Sequence, residues 1–355
     1  MRKRENEISS KGSSPESGFT IIEVLVSLAM FLIITGAIFG VMQVAQQGRA
    51  AVNEQVPLNK NARVALNLLG RDALNVGFGY PLKNTVVLPD NRITTLLGIP
   101  IDVDTTRDTV PPIISGNNIT ESTFNTTAGV FTDQVTFLFK DTTFNLVPYN
   151  GNQLSSPLNI SAATTVDGID EVVPISGGTN IDCRVNDIFL ITGNTGSTLG
   201  VATGLGTNTV QFSNLDILDL NLTGSTGPLR GITTPASMQR VRMVTYHVTP
   251  DGTLMRREYA NSSSTDPFVD DPLVFGVENF QIEYVMDDGT ISVDPSAGPD
   301  QIAGTPDDTE ANLAAIRQIR FTLTVRTTES SATGLFNRVT MTSTFGTRNL
   351  GYDPS

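Results

Sequence analysis

Residues 18–42 read GFTIIEVLVSLAMFLIITGAIFGVM, and from Val24 to Met42 about 19 residues pass without a charge. At 1.5 Å per residue a helix of that length nearly spans the hydrocarbon core of a bilayer, so the stretch is a membrane-helix candidate. Ahead of it lie Arg2, Lys3, Arg4 and Lys11. By the positive-inside bias this basic leader stays cytoplasmic and the rest of the chain passes outward. A secretory signal would show a shorter apolar run and a small-x-small cleavage site, and the exit QVAQQGRAA offers only a weak one. One carboxylate, Glu23, stands a turn inside the apolar segment. A charge there costs about 2.5–3.5 kcal/mol if it is central and less near the interface, so it requires a partner or the positive end of the helix dipole.

Gly18-Phe19-Thr20-Ile21-Ile22-Glu23-Val24 resembles the processing motif of type IV prepilins and of type II secretion pseudopilins. The resemblance implies that a prepilin peptidase cuts between Gly18 and Phe19 and methylates the new amino terminus of Phe19. The departure from the motif of major pilins is Ser17, where a basic residue is common. Cleavage would leave a cationic amine at Phe19 with Glu23 as the fifth mature residue. In a low-dielectric bundle the amine of one subunit can pair with Glu23 of its neighbour, and a wrong register would leave an uncompensated buried ion.

Beyond the anchor, Ala62, Ala65, Leu66, Leu69 and Ala73 recur at steps of three and four, the period of an amphipathic helix. Arg71 and Asp72 fall on what this pattern assigns to the solvated side. The two segments together predict one long helix from about Phe19 to about Val76, kinked or broken at Pro57 and ended by Gly77 and Gly79. RVALNLLGRDALNVGFGYP, residues 63–81, and the GVENFQIEY region with its flanking strands resemble the two ends of PilW-type minor pilins.

The body is rich in Thr, Asn, Ser, Gly and Asp, and short apolar runs alternate with turn residues. DQVTFLFK, NDIFLITG, QRVRMVTYHV, TLMRREY, VENFQIEYVM, IRQIRFTLTVRT and RVTMTSTFG read as strands. Thr249-Pro250-Asp251-Gly252 joins two of them as a hairpin, with Asp-Gly expected to supply positive backbone angles. Residues 85–133 and 150–182 read as decorated loops. The expected fold is therefore α+β and pilin-like: a long N-terminal helix on an antiparallel sheet head with long loop insertions. Its expected parts are a leader at 1–18, a transmembrane or filament-core helix at 19–48, a docking helix at 49–79 and a β-rich extracytoplasmic head at 80–355.

Lys and Arg number 23 against 36 Asp and Glu, and the net charge of −13 argues against direct nucleic-acid binding. One cysteine, Cys183, excludes an internal disulfide and reads as a half-buried strand-edge thiol. One histidine, His247, sits on a predicted strand and reads as packing or a surface hydrogen bond. No constellation of histidine, carboxylate and nucleophile converges, so the chain reads as a non-enzyme. Asp287, Asp288, Asp294 and Asp300, with Asp307 and Asp308 beyond, form an acidic stretch among Gly and Pro. Its hard oxygen ligands could hold a structural calcium ion, or it is a solvated loop. No other cofactor is expected.

The resemblance implies a structural subunit, a minor pilin that promotes type IV pilus assembly and through it attachment, twitching movement or DNA uptake. The implied partners are other pilins, the prepilin peptidase and the inner-membrane assembly platform. The implied location is the inner membrane before assembly, with the amino terminus inside, and the pilus, periplasm or cell surface afterwards. A J-type pseudopilin of type II secretion and a pilus-tip adhesin are the alternative readings.

Overall fold

The computed structural model describes residues 18–81, 86–99, 109–125, 127, 129–144, 158–160, 171–174, 183–206, 209–214, 216–221, 232, 235–261, 266–295, 315–328, 330 and 336–350. The basic leader, Ser17, Asp300, Asp307 and Asp308 lie outside the described residues. The chain divides into two compact units, Met1–Glu54 and Gln55–Ser355.

Helix α1 runs Ile21–Asn75 and contains Pro57. The expected break at the proline is absent. Pro57 removes one ladder hydrogen bond, but it is exposed, so water can reach the carbonyl it leaves without a donor. Asn59 Nδ2 also donates to the Gln55 carbonyl at 2.9 Å, holding the same turn. The helix stops where glycine was expected to stop it. Gly77 and Gly79 take φ of 73° and 63°, and the Gly77 N–H leaves the helix ladder for the Leu138 carbonyl at 3.1 Å.

After α1 come β1 (Val86–Val87), α2 (Arg92–Leu97), β2 (Ile113–Glu121), β3 (Phe131–Lys140), β4 (Leu158–Ile160) and β5 (Glu171–Pro174). They are followed by β6 (Ile188–Gly193), β7 (Gly196–Val201), β8 (Gly204–Gly206), β9 (Thr209–Phe212), β10 (Ala236–Val248) and β11 (Thr253–Tyr259). The chain then forms β12 (Phe268–Phe275), β13 (Val277–Met286), β14 (Ile291–Ser292), β15 (Ile316–Arg326) and β16 (Arg338–Gly346). The strands read from the sequence are all present. The segment 85–133, expected as loop, instead holds β1, α2, β2 and the start of β3, and β4 and β5 fall within 150–182. β2 escapes notice in the sequence because Ser115, Gly116, Asn117 and Asn118 interrupt its apolar alternation, and its pairing with β3 supplies what its propensity lacks.

β10 organises the head. Its first half pairs with β4 and β6, its second half with β3 and β11, and the nine-stranded sheet runs β1-β7-β6-β10-β11-β12 with β2, β3 and β4 off that path. Except for the parallel β1–β7 pair, the ladders of this sheet are antiparallel. A second sheet runs β14-β13-β15-β16 and a third β5-β9-β8.

Within the second unit, Ala62, Ala65, Leu66, Leu69 and Ala73 of α1 and Val76 just after it are buried in one core cluster with residues of β3, β10, β11, β13 and β15. Burying Leu66 and Leu69 contributes about 1.5–3 kcal/mol each. Close approach is needed too. A Cβ on Gly70 would lie 2.1 Å from the Phe345 ring, so only glycine lets β16 pack this near the helix. Val241 and Met243 of β10 join Leu97, Leu190, Leu199 and Tyr259 in a separate core cluster.

The β10–β11 hairpin is closed differently from the expected Asp-Gly turn. Gly252 alone takes a positive φ, 76°, and donates to the Thr249 carbonyl at 2.8 Å, while the Thr249 N–H donates to the Thr253 carbonyl at 2.9 Å. This is a turn with Pro250 in the corner position that suits its fixed φ, followed by a left-handed glycine.

Candidate functional site

α1 opens with a capping box. Thr20 precedes the first helical residue, and its N–H and its hydroxyl both donate to Glu23 Oε2 at 2.9 Å. In return the Glu23 N–H donates to Thr20 Oγ1 at 3.3 Å. Such reciprocal bonds satisfy donors that the helix ladder leaves free at its first turn, and the carboxylate lies at the positive end of the helix dipole. Thr20 was not singled out from the sequence, although Thr-x-x-Glu before an apolar run is a recognisable start signal. Gly18 and Phe19 lie just outside the helix, and Phe19 is 87% exposed.

From Ile21 to Gln46 the helix is long and apolar enough to cross a membrane, and none of its apolar side chains is covered within the chain. Ile22, Leu25, Phe31, Leu32, Ile33 and Phe39 all stand exposed. An uncovered apolar helix of this length is stable only against lipid or against other helices.

Residues 13–39 match the family model for the prokaryotic N-terminal methylation motif. The chain is type IV prepilin-like. No curated protein and no solved structure matches it. The motif implies processing by a prepilin peptidase and assembly with other pilins, and it points to a structural family.

In this prepilin-like chain the helix that carries the motif is tied to the head by a buried charge. Asp72, expected on the solvated side, is 2% exposed. Its Oδ2 accepts from the Tyr246 hydroxyl at 2.8 Å and from Arg256 Nε at 3.0 Å. Arg256 reaches on to Glu258 at 3.1 Å, and Glu258 accepts two bonds from Arg242 at 2.8 and 2.6 Å. Tyr246 and Arg256 are direct cross-strand partners, so β10 and β11 present one hydrogen-bonding surface to α1. Burial opposes the Arg256 charge, but Asp72, Tyr246 and Glu258 outweigh it and hold the guanidinium above its ordinary value. Burial and then Asp72 push the Tyr246 hydroxyl well up, so it remains a donor. Periodicity missed Asp72 because the apolar arc of a docking helix does not reveal a charge waiting at its edge for a partner 174 residues away. Arg71, by contrast, stays 60% exposed and reaches Asp72 at 3.4 Å.

Of the acidic stretch, the described members Asp287, Asp288 and Asp294 do not come together as one group. Asp287 faces Arg317 at 3.5 Å, while Asp288 closes its own turn through the Thr290 N–H and hydroxyl at 2.8 and 2.6 Å. Asp294 is buried and accepts the Ser115 hydroxyl. Among the described residues no three histidine, cysteine, aspartate or glutamate side chains gather where a metal could sit. Cys183 is buried, in a core cluster with Phe144, Phe189 and Phe212, and lies before β6 instead of on a strand edge.

His247 lies on β10 opposite Met255, and its Nδ1 is buried without a partner. Burial, then the Arg257 charge, lowers its pKa from 6.5 to about 4, with Asp270 opposing. The folded state thus resists a proton that the unfolded chain accepts. Stability is full above about pH 6.5 and falls as pH drops toward 4. The gap corresponds to roughly 3 kcal/mol at most, because the side chain is only partly enclosed. Urea unfolding of the full chain at pH 7 and pH 4.5 checks this: His247→Phe should lose clearly less stability than the parent over that interval. An equal loss in both would assign the acid sensitivity to carboxylates alone.

Proposed function

We propose that this chain is a minor pilin of the PilW type, a structural subunit that promotes assembly of a type IV pilus. The observation that carries the reading is the N-terminal one: the methylation motif runs straight into a capped, uncovered apolar helix whose later turns form the core of a β-rich head. In this reading the peptidase cuts between Gly18 and Phe19, Phe19 is N-methylated, and the helix passes from the inner membrane into the filament. There Glu23 of one subunit meets the terminal amine of another. Before assembly the head is extracytoplasmic and the leader cytoplasmic, as the basic residues at 2–4 and 11 favour. Attachment, twitching movement or DNA uptake then depend on the filament. The size of the head supports a pilus over a J-type pseudopilus.

The decisive experiment is mass spectrometry of the N-terminal peptide of protein purified from its native membrane. The expected first residue is N-methylated Phe19. A chain starting at Met1, or cut beyond Met42, would refute prepilin processing and the assembly role that depends on it.

A further inference from the structure

The four-stranded sheet ends on β16, which has no strand on its outer side among the described residues. On its inner side it pairs with β15 from Gln318–Gly346 to Arg326–Arg338 without a register shift. That register shows which backbone groups are engaged. The Thr327 N–H donates to the Asn337 carbonyl and the Thr347 N–H to the Arg317 carbonyl, both at 3.0 Å, and each pair continues the ladder by one residue at its end. In an antiparallel ladder such bonded pairs recur at every second residue. Val339, Met341, Ser343 and Phe345 therefore turn their N–H and C=O groups to β15, and Thr340, Thr342 and Thr344 turn theirs away from it. Among the described residues no hydrogen bond reaches these outward backbone groups.

Other margins of the sheets are blunted. β12 carries Asp270, Asp271 and Pro272 and pairs irregularly with β11, and β2 pairs irregularly with β3. β1 and β14 are two residues long. On β13 the Ile282 N–H is taken by Asp133 at 2.7 Å. Charges, prolines, bulges, short length and covering groups are the means by which proteins keep sheet edges from pairing with foreign strands. β16 uses none of them: Val339 to Phe345 holds no charge, proline or glycine. Its side chains also suit a further strand. Thr340, Thr342 and Thr344 stand exposed on one face, and Thr340 and Thr342 bond the hydroxyls of Thr324 and Thr322 at 2.9 and 3.1 Å. On the other face Met341 and Phe345 are only partly buried against the core, so the apolar layer stops at an open margin.

An edge of this kind is matched by an extended chain, because a strand presents its own donors and acceptors on one side at the same repeat of about 6.8 Å, two strand rises. Charge selects which chain. Arg338 and Arg348 bracket the uncharged stretch; Arg338 is bonded to Glu278 at 2.6 Å yet its side chain is 43% exposed, and Arg348 is exposed. Antiparallel pairing of two copies of β16 about Thr342 would set Arg338 of each diagonal to Arg348 of the other, and like charges so placed destabilise a strand pair. We propose that β16 is a strand-addition site for another protein: an extended segment that is uncharged and alternating where it faces Val339–Phe345 and acidic at both ends. The added strand extends the four-stranded sheet, sets its apolar residues beside Met341 and Phe345, and sets its polar ones beside the threonine row. This contact is separate from the N-terminal helix on which the assembly reading rests.

The test is amide hydrogen exchange on the full chain in detergent, with the peptide Glu-Val-Thr-Val-Thr-Val-Thr-Val-Glu as the probe. In the free chain the Thr340, Thr342 and Thr344 amides should exchange fast and those of Met341, Ser343 and Phe345 slowly; the peptide should slow the threonine amides by roughly tenfold or more. The same peptide with lysine at both ends should protect them less. Thr342→Pro removes an outward donor and spares the β15 ladder, so it should keep the parent's circular dichroism and abolish the peptide's effect. Because a proline can still disturb an edge, modified peptides give the same test with the parent chain. In antiparallel pairing, N-methylation of the peptide's threonine amides should abolish protection, and N-methylation of its valine amides should spare it. Threonine amides that stay fast at saturating peptide would overturn the proposal. So would protection that survives both Thr342→Pro and threonine N-methylation, equal protection by the lysine-ended peptide, or threonine amides already slow in a free chain that light scattering shows to be a dimer.

Discussion

Asp72→Ala destabilises the head by about 3–5 kcal/mol, the cost of removing one partner from a buried ion pair and leaving the other uncompensated. The stranded group is Arg256, whose side chain is 7% exposed and whose Nη2 already lacks a hydrogen-bond partner. Tyr246 loses its acceptor at the same time, and its hydroxyl is held too deep for water to replace Asp72. Glu258 limits the damage, since it retains Arg242 and Arg256 as partners. Asp72→Asn should fall between the parent and Asp72→Ala, because the amide oxygen still accepts from Tyr246 while the charge is gone. Arg71→Ala, at an exposed pair, should change stability by no more than about 0.5–1 kcal/mol. Urea unfolding of the full chain in detergent at pH 7, followed by circular dichroism, measures all three. A loss below about 1 kcal/mol for Asp72→Ala would show that the network is not what joins the later turns of α1 to the β10–β11 hairpin.

Glu23→Ala leaves leader removal intact and lowers incorporation into sheared filaments by roughly a hundredfold, the equivalent of about 3 kcal/mol for a lost buried charge partner. The capping box supplies a competing cause. In the isolated chain Glu23 is satisfied by Thr20, and alanine there also removes a helix cap, an effect of only about 0.5–2 kcal/mol. Glutamine separates the two, because it completes a capping box as glutamate does but carries no charge. If pairing with a neighbour's amine sets the register, Glu23→Gln is as defective as Glu23→Ala. If capping is the whole contribution, Glu23→Gln restores incorporation. Quantifying the protein in sheared filaments against the membrane pool distinguishes these outcomes, and normal incorporation of both variants would remove the charge argument altogether.

The elements that were legible in the sequence share a physical trait: their signal is local. The Val24–Met42 run needs no partner to be read as an apolar helix. The steps through Ala62, Ala65, Leu66, Leu69 and Ala73 report a helix face directly, and the alternation through Ile319, Phe321, Leu323 and Val325 reports a strand with one side in the core. Gly77 and Gly79 mark the end of α1 by backbone freedom alone. Thr20 was equally local and equally readable, as the first residue of Thr-x-x-Glu. Pro57 shows how far a local rule carries: proline removes a donor and crowds the preceding turn, yet a helix exposed at that point continues through it.

The sequence by itself therefore determined the motif at Gly18 to Glu23, the apolar helix behind it, the amphipathic turns that follow and the β character of the remainder. Each depends on interactions within a few residues, which composition and spacing encode. Tertiary structure alone decided that Asp72 is a buried partner of Tyr246 and Arg256, that Gly70 makes room for Phe345, that β10 serves both halves of the large sheet, and that Asp294 accepts a hydrogen bond from Ser115 of β2. These pairings join residues tens to hundreds of positions apart. A side chain's charge or size is visible in the sequence, but whether that charge is solvated or buried is set by what the fold places against it.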